Sequence, residues 1–260
     1  MRPNKTLILT AAVLMLAVAA MATTTPSGVV VNERIWNDCP TSTITSTVGA
    51  GSVNLVEQKQ FCGAGWGSRH NWRFSDGVSA LQFANGDGFR FSADITLSGT
   101  GEAEAGLSIA PWWSPNVDGV FNLRTTDGEI ACFGGRLPFY SFTSSQGITY
   151  TKGETVHCQI TYLPNMLSPT NPGTIEYVIV MGGTTYSSGV LNFGEGNPAE
   201  PYGLWGILDD AQAGANMLHF LQQGEVDGYM EFDFQNITFE DLGTVANEEM
   251  TFGQVKALFR

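Results

Sequence analysis

A chain of 260 residues in which only 14% are charged and 31 are glycine is built for strands and turns, with few exposed helices. Its 25 acidic side chains outnumber the 12 basic ones for a formal net charge of −13, which argues against nucleic acid and anionic membrane surfaces as partners.

The chain begins with a short basic stretch, MRPNK, followed by the apolar run TLILTAAVLMLAVAA and then Ala20-Met21-Ala22. That order reads as a secretory signal peptide over residues 1–22, and the apolar run falls short of the roughly 20 residues a membrane span needs. Export is therefore expected, to the extracellular space or the periplasm, with no membrane span in the mature protein. Losing Arg2 and Lys5 leaves ten basic residues against 25 acidic, a net charge of −15.

The four cysteines, Cys39, Cys62, Cys132 and Cys158, are an even set in an exported chain and read as two disulfides. Three connectivities are open; local pairing favours Cys39 with Cys62 and Cys132 with Cys158, closing two loops of about 25 residues, each worth about 3 kcal/mol. A zinc site is disfavoured, because no CxxC or HxxxH spacing occurs and His70, His157 and His219 are scattered.

Residues 23–27 are a polar lead-in, residues 29–35 a first strand, and residues 40–52 either an edge strand or a loop. The stretch CGAGWGSRHNW at residues 62–72 is rich in glycine and aromatics. It lacks GxGxxG spacing and precedes no helix, so it is not a phosphate loop. GFRFSADITLSG then alternates cleanly, with Phe89, Phe91, Ala93, Ile95 and Leu97 on one face.

Residues 106–142 hold the clearest hairpin, FNLRT-TDGE-IACF, in which Asp127-Gly128 supplies the turn. A two-residue turn pairs Arg124 with Ala131 and Leu123 with Cys132. Alternation then sends Phe121, Leu123 and Cys132 to the core, and Asn122 and Arg124 away from it. Residues 154–163 are another strand, and TIEYVIVM-GG-TTYSSGVL is a second hairpin turning at Gly182-Gly183. Shorter strands follow at 202–208 and 217–221, and GYMEFDFQNITF closes the set.

About a dozen short strands with almost no helical period predict one all-β domain over residues 23–240, an antiparallel two-sheet β-sandwich or jelly roll. Residues 241–260 differ. An acidic linker leads into EEMTFGQVKALFR, where Phe252, Val255, Leu258 and Phe259 share one side of a short amphipathic helix. A helix so short must dock on the sandwich or on a protein partner.

The stretches GFRFSADITL, AGLSIAPWW, DGVFNLRTTDGEIACF, IEYVIVMGGTTYSSG and YMEFDFQNITF together resemble the concanavalin A-like lectin and glucanase sandwiches, including their laminin-G-like members. That resemblance is architectural. It implies a sugar-facing concave sheet, sometimes with a structural calcium, and in the superfamily's glycosidases an ExDxE or ExDxxE strand. Here Glu225-Val226-Asp227 runs into Asp227-Gly228, which reads as a turn. Glu231 and Asp233 alternate properly, but the next residue on that face is Gln235, so the catalytic spacing is not met.

Candidate ligand-binding residues lie mostly in the 106–142 stretch. Trp112 and Trp113 end a strand between two prolines, and an exposed member of the pair would stack on a sugar ring. Asn122, Arg124, Arg136 and Tyr140 are the polar groups nearby, with the arginines suited to hydroxyls or to a carboxylate. Asp209 and Asp210 are an oxygen-rich loop for calcium, although no DxDxDG spacing is present. The favoured expectation is a secreted, non-catalytic protein that binds an extracellular glycan on one face of the sandwich. The alternatives are a glycoside hydrolase or polysaccharide lyase, and a surface-assembly protein that docks through its C-terminal tail.

Overall fold

A computed structural model describes residues 25–60, 66–110, 119–134, 137–194, 205–221 and 227–244. The proposed signal peptide, Cys62, Trp112, Trp113, Arg136, Glu225 and the C-terminal segment 245–260 lie outside the described residues.

Two antiparallel sheets of seven strands each stack face to face. The first contains β1 (Gly28–Asn37), β4 (Gly67–Ser75), β6 (Glu102–Ala110), β7 (Gly119–Arg124), β8 (Ile130–Phe133), β9 (Tyr140–Ser141) and β13 (Gln212–Phe220), in the order β1-β4-β13-β6-β7-β8-β9. The second contains β2 (Thr43–Gly49), β3 (Ser52–Lys59), β5 (Asp87–Gly99), β10 (Thr155–Leu163), β11 (Thr174–Met181), β12 (Thr184–Asn192) and β14 (Gly228–Thr244), in the order β12-β11-β10-β5-β14-β3-β2. Among the described residues the α-helix is α1 (Phe142–Gln146), a single turn capped by the Ser141 hydroxyl. No helix there is long and apolar enough to cross a membrane. The expected C-terminal helix falls outside the described residues.

Period-2 patterning fixes the core. Phe89, Phe91, Ala93, Ile95 and Leu97 of β5 all lie buried, as their alternation requires. From the facing sheet Trp72 and Phe74 on β4 meet them, with Trp72 edge-on to Phe234 at 5.7 Å and Phe74 edge-on to Phe91 at 5.7 Å. On β14 a bulge at Asn236, whose φ is 51°, changes the parity of the strand. Phe232 and Phe234 point inward before it, and Ile237 and Phe239 pack against the core after it.

The Gly182-Gly183 hairpin forms as expected, since Met181 pairs with Thr184 and both glycines have positive φ. The Asp127-Gly128 hairpin is displaced by one pair. Leu123 faces Ile130 and Phe121 faces Cys132, because the loop spans four residues rather than two. Thr125 is held by Ala103 through its own N–H and its hydroxyl, and Asp127 Oδ1 accepts the Glu129 N–H at 3.0 Å. Each partner thereby moves by two positions, which preserves the face of every side chain.

One disulfide expectation is corrected. Cys132 and Cys158 are both buried free thiols. They project into the core from opposite sheets, on β8 and β10, and no bond joins them. Burial pushes both thiols above the ordinary range, so they stay protonated and inert. Cys39 is disulfide-bonded, and its expected partner Cys62 lies outside the described residues.

Candidate functional site on the outer face of the first sheet

The strand that carries the site is β4, whose sequence GSRHNWRFS alternates in an unusual way. Ser68, His70, Trp72 and Phe74 face the core, while Arg69, Asn71 and Arg73 face outward. An outward sheet face is normally wet, yet every residue of β4 is buried. Register extends the outward set across the sheet. Arg73 lies level with Gly214 and Ser108, and Asn71 with Asn32, Asn216, Gly106 and Asn122. Arg69 lies level with Trp36, Leu218, Glu104 and Arg124.

Some of these groups are satisfied within the face. Asn32 Nδ2 donates to Asn71 Oδ1 at 2.8 Å, and Arg69 Nε donates to Asn216 Oδ1 at 2.8 Å. Arg73 Nη1 donates to Ser108 Oγ at 2.9 Å and to the Ala215 carbonyl at 2.8 Å. Others have no partner: Arg73 Nε and Nη2, Asn71 Nδ2, Gln212 Oε1, and both amide atoms of Asn122. A buried polar atom left unpaired costs about 1–3 kcal/mol, so a cluster on one face is an expensive arrangement that a ligand or water would relieve. Burial first, and then the nearby charge of Arg69, pull the Arg73 guanidinium down to about 9, so it stays charged at neutral pH.

One end of the face is aromatic. Trp66 is 63% exposed and stacks on Trp36 at 5.3 Å with an interplanar angle of 23°, while Phe220 meets it edge-on at 6.4 Å. Gly67 permits this assembly, because a Cβ there would stand 3.2 Å from the Trp36 ring. From Gly67 to Arg73 the strand covers about 20 Å.

The residues singled out from sequence separate here. Asn122 belongs to the face and is one of its unpartnered groups. Arg124 is also on it but is occupied: Nε donates to Glu104 at 3.3 Å, and Nη1 to Asp127 at 3.0 Å and Glu129 at 2.9 Å. Tyr140 pairs with Cys132 and packs toward the core, edge-on to Phe142 at 4.9 Å, with its hydroxyl accepting from Gln146. Asp209 and Asp210 are exposed, and Asp209 Oδ1 accepts the Asn85 N–H at 3.3 Å. Among the described residues no group of three or more His, Cys, Asp or Glu side chains is arranged to hold a metal. Glu231 and Asp233 share the amide of Asn54 on the outer face of the second sheet, away from this site.

Trp36, Trp66, Asn71, Arg73 and Gln212 were not evident beforehand. The available signal was Arg-x-Asn-x-Arg at alternate positions with His, Trp and Phe between, a two-sided strand that the preceding glycines concealed.

Two of the histidines are structural in their geometry. Glu57 Oε2 accepts from His70 Nε2 at 3.2 Å and from His219 Nδ1 at 3.0 Å, and all three side chains are wholly buried. His70 Nδ1 accepts the Arg34 N–H at 3.1 Å, which fixes its tautomer. Glu57 Oε1 accepts from Asn37 and Ser42. Burial alone would raise the Glu57 carboxyl, but the hydrogen bonds from His219, His70 and Ser42 hold it well below the carboxylate range.

No family model matches the chain, and no curated protein matches it. Solved structures similar to it include the lectin UEA-II complexed with galactose, at 10% identity and a TM-score of 0.45, covering 83% of this chain and 95% of that one. A family 7 alginate lyase, A1-II′, is similar at 12% identity and a TM-score of 0.41, over 74% and 78% of the two chains. The carbohydrate-binding module CBM66 from Bacillus subtilis is similar at 12% identity and a TM-score of 0.39, over 83% and 96%. The chain's own two stacked antiparallel sheets agree with the architecture that the sequence resemblance implies.

Proposed function

We propose that this is a secreted carbohydrate-binding protein that takes a sugar chain along the outer face of the first sheet. The observation that supports it most is the juxtaposition of unpartnered buried polar atoms on Arg73, Asn71, Asn122 and Gln212 with the exposed Trp66 stack. Sugar rings ask for both, an apolar ring face to stack and fixed donors and acceptors for hydroxyls. The C-terminal segment 245–260 is assigned to a protein partner, through its apolar stripe.

The experiment is a binding screen of the mature protein against neutral and acidic polysaccharides, repeated with Trp66→Ala. The expected result is saturable binding that Trp66→Ala weakens at least about tenfold with an unchanged unfolding midpoint. Wild-type levels of binding in Trp66→Ala would remove the aromatic end from the site.

One observation favours a catalytic reading as the rival. Glu104 is a carboxyl on this face, and burial raises it above the ordinary carboxylate range against the pull of Arg124 and Arg69. A raised carboxyl suits a general acid. Release of new reducing ends or unsaturated products, abolished in Glu104→Gln, would establish an enzyme.

A further inference from the structure

Arg73 stands in the middle of the outer face of β4, between β1 and β13, and is fully buried. Its hydrogen bonds are spent on one nitrogen: Nη1 donates to the carbonyls of Trp72 and Ala215 and to the Ser108 hydroxyl. All three acceptors are neutral. Nε and Nη2 have no partner, and these two form the side-on fork of a guanidinium, whose two parallel N–H bonds match a carboxylate. No acid among the described residues forms an ion pair with Arg73. The carboxylate next along the face, Glu104, is held by Arg124, and Arg69 adds a like charge from the same strand. Gly214 lies level with Arg73 on the adjacent strand and packs against its backbone, where a Cβ would stand 2.1 Å from the Trp72 carbonyl oxygen.

A neutral hydroxyl would satisfy the two N–H groups but leave a buried charge without a counter-charge, which is costly. We infer that the sugar chain on this face carries carboxylates, of the kind uronic acid residues bear, and that one docks side-on to Nε and Nη2 of Arg73. Asn122, with both amide atoms open, and Asn71 Nδ2 then serve hydroxyls of the same or the adjoining ring. This inference rests on the outer face being the glycan site.

The test compares binding of wild-type protein to polygalacturonate, polyglucuronate and polymannuronate, to the same polymers with carboxylates reduced to alcohols, and to a sulfated neutral polymer. The expected result is binding of at least one polyuronate, weakened at least about tenfold by reduction. Arg73→Gln should bind the native and reduced forms of that polymer alike. If Arg73→Gln does not fold, the comparison of native with reduced polymer on wild-type protein decides the matter alone. Equal binding of native and reduced polymers overturns the carboxylate while leaving the site, and equally tight binding of the sulfated polymer replaces it with a general anion site. Binding of no polymer, native, reduced or sulfated, overturns the glycan reading itself.

Discussion

Glu57 shows how a single side chain can tie two layers. It rises from β3 of the second sheet and accepts from His70 and His219 on adjacent strands of the first, so one carboxylate links both sheets. Glu57→Ala leaves four donors without an acceptor in a buried setting and should cost at least about 3 kcal/mol, visible as a fall of roughly 10 °C in the unfolding midpoint. The pH dependence has a definite sign. Glu57 is held lower in the folded than in the unfolded chain, so its stabilisation is present above the ordinary carboxylate range and drains away as pH falls below it. The acid limb of a midpoint-against-pH curve should therefore be steeper for the wild type than for Glu57→Gln. A second prediction concerns the thiols of Cys132 and Cys158. Unreduced protein should show two reactive thiols in denaturant and none when folded, and a count of zero in denaturant would restore the disulfide expected from spacing.

At the scale of strands and turns, legibility depended on how clean the alternation was. The β5 face and both hairpins were readable because apolar residues recur at every second position and glycine marks the turns. The displaced register of the first hairpin was not readable. It depends on Thr125 bonding to Ala103, a residue on a different strand, which local pattern cannot reveal. β4 was hidden for a related reason: Arg69, Asn71 and Arg73 look like solvent-facing residues in one dimension, and only the neighbours β1, β6 and β13 turn them into a buried array. Of the residues singled out from sequence, Asn122 and Arg124 fall on this face, and its location on β4 was not legible. Close strand approach gives a test. A Cβ on Gly106 would stand 1.7 Å from the Phe121 carbonyl, so Gly106→Ala should push β6 from β7, lowering the unfolding midpoint and weakening any ligand that contacts Asn122. An unchanged midpoint would show that the strands separate freely.

For the molecule as a whole, order in the chain and order in space are sharply different. β13 enters the first sheet between β4 and β6, and β14 enters the second between β5 and β3. Both are interior positions, filled by the last two strands described, and contacts such as Asn54 to Asp233 span 179 residues. A chain ending at residue 208 would leave β4 and β6 without the strand that joins them, and should give no cooperative thermal transition, checked by calorimetry. Distant pairing of this kind makes folding slow. While it is being synthesised, the nascent polypeptide has no way to lock itself shut, since the two keystones come off the ribosome after nearly all the other strands. It therefore acquires its final shape only once the last of these strands is free to slot in between its neighbours.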